Sequence, residues 1–180
     1  MTSAATKEET EPEILGRFKQ TTGMPGQTER IEAFWAKYLR SLPPAERGRE
    51  YLEAFEFGGT DEAATRLADL VLRGIKKATS ELLWSRQASG KGLWKVGDES
   101  IVLDGSGDPT CVIRTTELRV IPLNEVDERF VRDYGEGDGS LEWWRTEIWN
   151  YYRNECLALG RTPKDDMPLI CERFLVAYPT

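Results

Sequence analysis

The stretch "ESIVLDGSGDPTCVIRTTELRVI", residues 99–121, constrains the fold more than any other. Two runs of β-branched and apolar residues flank a turn rich in Gly, Asp and Pro, which predicts two joined strands. "DMPLICERFLVAYP" predicts a closing strand, and "ATSELLW" has strand character. "YLEAFEFGG" is ordered in pattern but ambiguous in type. Strands therefore dominate the middle of the chain, and helices flank them. In "TERIEAFWAKYLRSL", Ile31, Phe34, Trp35, Tyr38, Leu39 and Leu42 recur at helical spacing, with Thr28 as the expected cap. "TDEAATRLADLVLRG" predicts a helix capped by Thr60 and stopped at Gly74. "NEVDERFVRDYG" predicts a short helix capped by Asn124, and "SLEWWRTEIWNYYRNECLALG" a long one ending at Gly160. This order fits an α+β domain or small barrel rather than alternating βαβ units. Residues 1–27, rich in Thr, Glu, Gly and Pro, read as a flexible tail, and residues 28–180 as one domain.

Several function classes are excluded early. The chain has no histidine, so Ser-His-Asp and Cys-His catalysis and histidine metal sites are out. Cys111, Cys156 and Cys171 are far apart and form no CxxC, which reads as buried free thiols. No apolar run approaches the roughly 20 residues of a membrane span. The N-terminus carries no apolar signal core, which makes the expected location cytoplasmic. A net charge of -7 argues against long nucleic-acid tracks and anionic membranes. No metal or other cofactor is expected.

Charge is unevenly spread. From Arg73 to Lys95, six basic residues (Arg73, Lys76, Lys77, Arg86, Lys91, Lys95) stand against one acid, Glu81, giving the stretch +5. Such a loop in an acidic protein is either a local anion site or a solvated edge paired to nearby acidic helices. Trp84 and Trp94 flank it, and beside Arg86 and Lys91 they suit a stacked base with its phosphate. The aromatics Trp143, Trp144, Trp149, Tyr151 and Tyr152 cover several faces of one helix and read mainly as core. Arg145 is placed to pair with Glu136 or Asp138, or to touch a phosphate.

Four segments in order, "GIKKATSELLW", "VGDESIVLDGSGDPTCVIRTTELRVIPLNEV", "YGEGDGSLEWWR" and "ICERFLVAY", resemble the ASCH domain. The resemblance runs from about Ile31 to Tyr178 and is strongest to the longer bacterial branch, a domain of unknown function. It implies a small PUA-like β-barrel flanked by helices, here with an N-terminal helical extension. It also implies a cleft beside the family's G-x-K-x-x-T segment, which falls on Gly74, Lys76 and Thr79. RNA or nucleotide binding is the family expectation. Small members are amidohydrolases on N(4)-acetylcytidine, and a ribonuclease activity is attributed to others. In the amidohydrolases the Lys and Thr work with a Glu, and the matching position here is Glu136.

The chemistry of that trio is coherent. A threonine hydroxyl is a weak nucleophile until a base takes its proton. A lysine is such a base once desolvation or positive neighbours, here Lys77 and Arg73, lower its pKa. Glu136 then orients the lysine or activates water. Gly135 and Gly137 let backbone N–H groups approach a ligand. Gly74, Lys77, Ser80, Trp84, Arg86, Lys91, Trp94, Gly135, Asp138 and Arg145 complete the expected substrate-binding set. One geometric condition applies. Positions i and i+3 of a regular strand face opposite sides, so Lys76 and Thr79 converge only if the chain bends between Gly74 and Thr79. Otherwise Lys76 caps the preceding helix and Thr79 begins a strand. Two readings result: a hydrolase acting without a metal on a modified nucleoside, nucleotide or RNA, and a non-catalytic module binding a nucleoside, nucleotide or short single-stranded RNA.

Overall fold

The computed structural model describes residues 17–20 and 26–179. The elements run β1 (Arg17–Gln20), α1 (Gln27–Ser41), β2 (Ala54–Phe57), α2 (Asp61–Leu72), β3 (Ala78–Leu82), α3 (Leu83–Ala88), β4 (Glu99–Leu103), β5 (Pro109–Pro122), α4 (Glu128–Tyr134), α5 (Leu141–Ala158) and β6 (Pro168–Pro179). The stretch assigned to a tail by composition thus contains β1, which pairs with β2. The rest of that stretch up to residue 25 lies outside the described residues.

The strands form one mixed sheet in the order β1-β2-β4-β5-β6-β3. Only β2 and β4 run parallel. A parallel pair needs a long crossover, and the chain through α2, β3 and α3 supplies it. Register shifts between Val112 and Ile113 and between Thr115 and Glu117 bend β5. The sheet curls, yet among the described residues no ladder joins β3 to β1, so the expected barrel is not closed. On the β3 side the limit is local: β3 stops after five residues where Leu83 opens α3. The same turn into α3 corrects the strand reading of Leu83 and Trp84.

Side chains alternate across the sheet and feed two cores. Phe55, Phe57, Val102, Cys111 and Ile113 pack against Ala63, Leu67 and Val71 of α2. Ala54, Ile101, Leu103 and Val112 pack against Ile31, Trp35 and Tyr38 of α1. Each fully buried Leu, Val or Phe contributes about 1.5–3 kcal/mol of transfer free energy. Thr60 caps α2 as its sequence suggests, accepting from the Ala63 N–H at 3.2 Å. Two other caps differ. Gly26, in a left-handed conformation, precedes α1, so Thr28 falls inside the helix, and the buried Gln27 side chain donates to Gly107 O. Asp127 rather than Asn124 caps α4, accepting from Phe130 N at 2.8 Å, while Asn124 sits in a preceding 3-10 turn. The three cysteines are buried and free. Among the described residues no helix is long and apolar enough to cross a membrane.

A buried carboxylate ties α1 to the sheet. Glu99 Oε1 accepts from Tyr38 Oη at 2.7 Å, Arg114 Nε at 2.8 Å and Arg49 Nη1 at 3.0 Å. Tyr38→Phe removes one donor from this buried charge while keeping the ring, so urea denaturation should show a loss of about 1.5–3 kcal/mol. A change below about 0.5 kcal/mol would mean that the arginines alone satisfy Glu99.

Candidate functional site

The end of α2 is built to turn Lys76 inward. Gly74 takes a left-handed φ of 67°, and the N–H groups of Ile75 and Lys76 both donate to Leu70 O, at 2.9 and 3.0 Å. These bonds close the helix and prevent an extended run from Gly74. Lys77 N then donates to Asp133 O at 2.7 Å, and Phe174 N donates to Lys77 O at 2.9 Å, clamping the segment between α4 and β6. The strand begins only at Ala78.

Lys76 is 1% exposed, one of the few buried lysines a fold tolerates. Its Nζ donates to Glu136 Oε1 at 2.5 Å, Ala78 O at 3.0 Å and, at a long 3.4 Å, Tyr134 O. It also lies 3.8 Å from the Tyr134 ring centroid and 5.1 Å from that of Phe57. Burial pulls its pKa below the usual lysine value, while Glu136 pulls it back up. Three acceptors around Nζ match the three N–H donors of an ammonium.

Glu136 reaches it because two glycines allow close contacts. At Gly135, φ 71°, a Cβ would stand 2.4 Å from Ile75 O. At Gly137, φ 61°, it would stand 2.4 Å from the Trp143 ring. The loop therefore lies directly on the backbone before β3. Beyond it, Asp138 accepts from Ser140 N at 2.8 Å, which holds its exposed carboxyl below the ordinary range.

Lys76 and Glu136 are brought together; Thr79 is not bonded to either. Thr79 is 1% exposed on β3, and its Oγ1 has no hydrogen-bond partner. Ser80 points to the other face and shares a 3.0 Å hydrogen bond with Tyr152 Oη. A cleft of about 320 Å³ opens beside the pair, lined by Arg73, Gly74, Lys76, Lys77, Phe174 and Val176. A larger hollow of about 470 Å³ lies along α5, with Asn124, Arg145, Trp149 and Asp165 in its wall. We place the site at the smaller cleft, because the buried ion pair adjoins it.

Much of the basic stretch is neutralised within the protein. Arg86 is buried, 3.6 Å from both Glu53 and Glu81, and donates to Gly92 O at 2.9 Å. Its guanidinium lies 4.7 Å from the centroid of Trp94, itself only 4% exposed, so that ring offers no open stacking face. Lys91 pairs with Glu53 at 3.3 Å, and Arg73 with Asp69 at 3.2 Å. Lys77 and Lys95 are exposed. Trp84 is half-buried under the Arg161 guanidinium. Arg145 donates to Asn124 O and Val126 O, at 2.9 and 3.2 Å, bracing the turn before α4.

Sequence reasoning did not single out Tyr134, Glu53 or Glu172. Glu172 had a signal: it is an acid inside the apolar strand sequence "PLICERFLVAY". It is 0% exposed and accepts from Thr115 Oγ1 at 2.5 Å.

The family model described as the ASCH domain matches residues 53–178. The chain is similar to a crystal structure of an ASCH domain from Lactobacillus crispatus JV V101, at 33% identity and a TM-score of 0.78. That match covers 89% of this chain and 99% of the other. It is also similar to a crystal structure of a protein from Enterococcus faecalis V583, at 29% identity and a TM-score of 0.77, over 84% and 90% of the two chains. No curated protein matches the sequence.

Breaking the buried pair from one side strands the other charge. Lys76→Met should cost about 3–5 kcal/mol in urea denaturation, and Lys76→Met with Glu136→Gln should cost clearly less than the single change. Equal losses for the single and double variants would show that Glu136 is not held by Lys76.

Proposed function

The chain belongs to the ASCH domain family, and we propose that it binds RNA or a nucleotide-like ligand beside the Lys76–Glu136 pair and hydrolyses a modified nucleoside, nucleotide or RNA there. The family is associated with RNA binding. The observation that carries the finer reading is a fully buried lysine–carboxylate pair at a cleft, three residues from a buried threonine hydroxyl with no partner. A polar group left unpaired in a native interior calls for a reason, and a reacting hydroxyl is one.

In this reading Thr79 is the nucleophile toward an acyl group such as that of N(4)-acetylcytidine. Lys76 and Glu136 fix the loop at Gly135 and Gly137 against the backbone before β3. Lys76 remains an ammonium and holds Glu136 in one orientation. The exposed Lys77 and Arg73 at the cleft mouth attract an anionic or polar ligand. With most other cations paired internally, one or two phosphate contacts are available, which favours a nucleoside, nucleotide or short single-stranded RNA over a long track.

One observation favours a second reading, the non-catalytic binding module. The lysine has all three of its N–H donors occupied, as in a purely structural pair. Mass spectrometry of N(4)-acetylcytidine compounds and a short RNA, incubated with wild type, Lys76→Ala and Thr79→Val, separates the two. The hydrolase reading expects acetate release or RNA cleavage in the wild type, reduced at least about 100-fold in Thr79→Val. Binding without turnover, with a shallow salt dependence, would establish the module instead.

A further inference from the structure

Thr79 and Glu172 are directly opposed across β3 and β6, so their side chains leave the same face of the sheet. Cβ atoms of such a pair stand about 4.5–5.5 Å apart, within reach of one rotamer change. Both residues are buried, Glu172 completely. The Thr79 hydroxyl has no partner, while Glu172 is held from the next strand by Thr115 Oγ1 at 2.5 Å. Two residues along β6, Phe174 shares that face and lines the cleft with Lys76. Glu172 thus stands between Thr79, its register partner on β3, and Thr115 on β5, which reaches it diagonally by its hydrogen bond. Lys76, in contrast, leans toward the Tyr134 and Phe57 rings with its N–H donors already engaged.

We propose that Glu172 is the proton acceptor of Thr79. The assignment deepens the hydrolase reading above and rests on it. In the first step Thr79 Oγ bonds to the acyl carbon of an N-acyl nucleobase, and its proton passes to the Glu172 carboxylate. The C–N bond breaks, and the leaving amine takes that proton from Glu172. In the second step water attacks the threonine ester and gives a proton to Glu172. The ester C–O bond breaks, and the departing Thr79 oxygen recovers the proton, so the enzyme is restored and one carboxylic acid is released. Thr115 acts by fixing the Glu172 carboxylate in this orientation.

The test is kinetic. Glu172→Gln keeps the side-chain shape and removes the base, so kcat for acetate release from N(4)-acetylcytidine should fall at least about 100-fold with KM little changed. Glu172→Asp, which keeps the charge for the case in which the amide variant fails to fold, should lower kcat in the same KM-independent way. A rate within about threefold of wild type in either folded variant would overturn the assignment while leaving the hydrolase reading intact. If the wild type releases no acetate, the hydrolase reading fails by itself, and a cycle of Thr79→Val, Glu172→Gln and the double variant then decides the pairing. Non-additive shifts of the denaturation midpoint support a Thr79–Glu172 contact; additive shifts overturn it.

Discussion

The buried Lys76–Glu136 ion pair is the constraint on which the site depends. Two charges taken out of water are tolerated only when geometry and additional hydrogen bonds compensate their lost hydration. Here the compensation comes from backbone carbonyls at Ala78 and Tyr134 and from the Tyr134 ring. These groups lie on two residues, Ala78 and Tyr134, so together with Glu136 they tie the end of α2 to the start of β3 and to the end of α4 with its following loop. Gly135 is required by the same contact, since any side chain there would strike Ile75 O. The sheet behind the pair need not close for this arrangement to hold, because α4 packs onto β3, the outer strand of the sheet.

Electrostatics elsewhere follow the same rule of internal pairing. The basic stretch from Arg73 to Lys95 stands out in the linear chain, yet Arg86 and Lys91 are spent on Glu53 and Glu81. Trp94 packs on Arg86 as part of that cluster. What remains at the cleft mouth is a small positive rim in an acidic protein. Such a rim is a local charge only, since long-range attraction for a polyanion is offset by the net charge of -7.

The fold was legible in the sequence where one physical signal dominated. The apolar spacing of α1, α2 and α5, the Thr60 cap and the Gly74 and Gly160 stops were all visible. So was the strand pair around "DGSGDP", because turn chemistry and β-branched runs agree there. Closure of the sheet was not legible, since it depends on where β3 gives way to α3 at Leu83, and "ATSELLW" carries strand character throughout. Within the site, the glycines and Lys76 could be placed through motif spacing, and the bend at Gly74 was foreseen as a condition. The fate of Arg86, Lys91 and Trp94 was hidden because their acidic partner Glu53 is distant in sequence. Glu172 stood out as an acid within an apolar strand, but its place opposite Thr79 depends on strand register.

The central claim is that Lys76 is a buried ammonium whose protons are held by Glu136 and two backbone carbonyls. Side-chain nitrogen NMR of lysine-labelled protein reads this directly. The account predicts one ammonium signal with slowly exchanging protons at neutral pH, assigned to Lys76 by its loss in Lys76→Met and made fast-exchanging by Glu136→Gln. A neutral-amine nitrogen shift for Lys76 at neutral pH, or ammonium protons that exchange as fast as those of the exposed lysines, would contradict it.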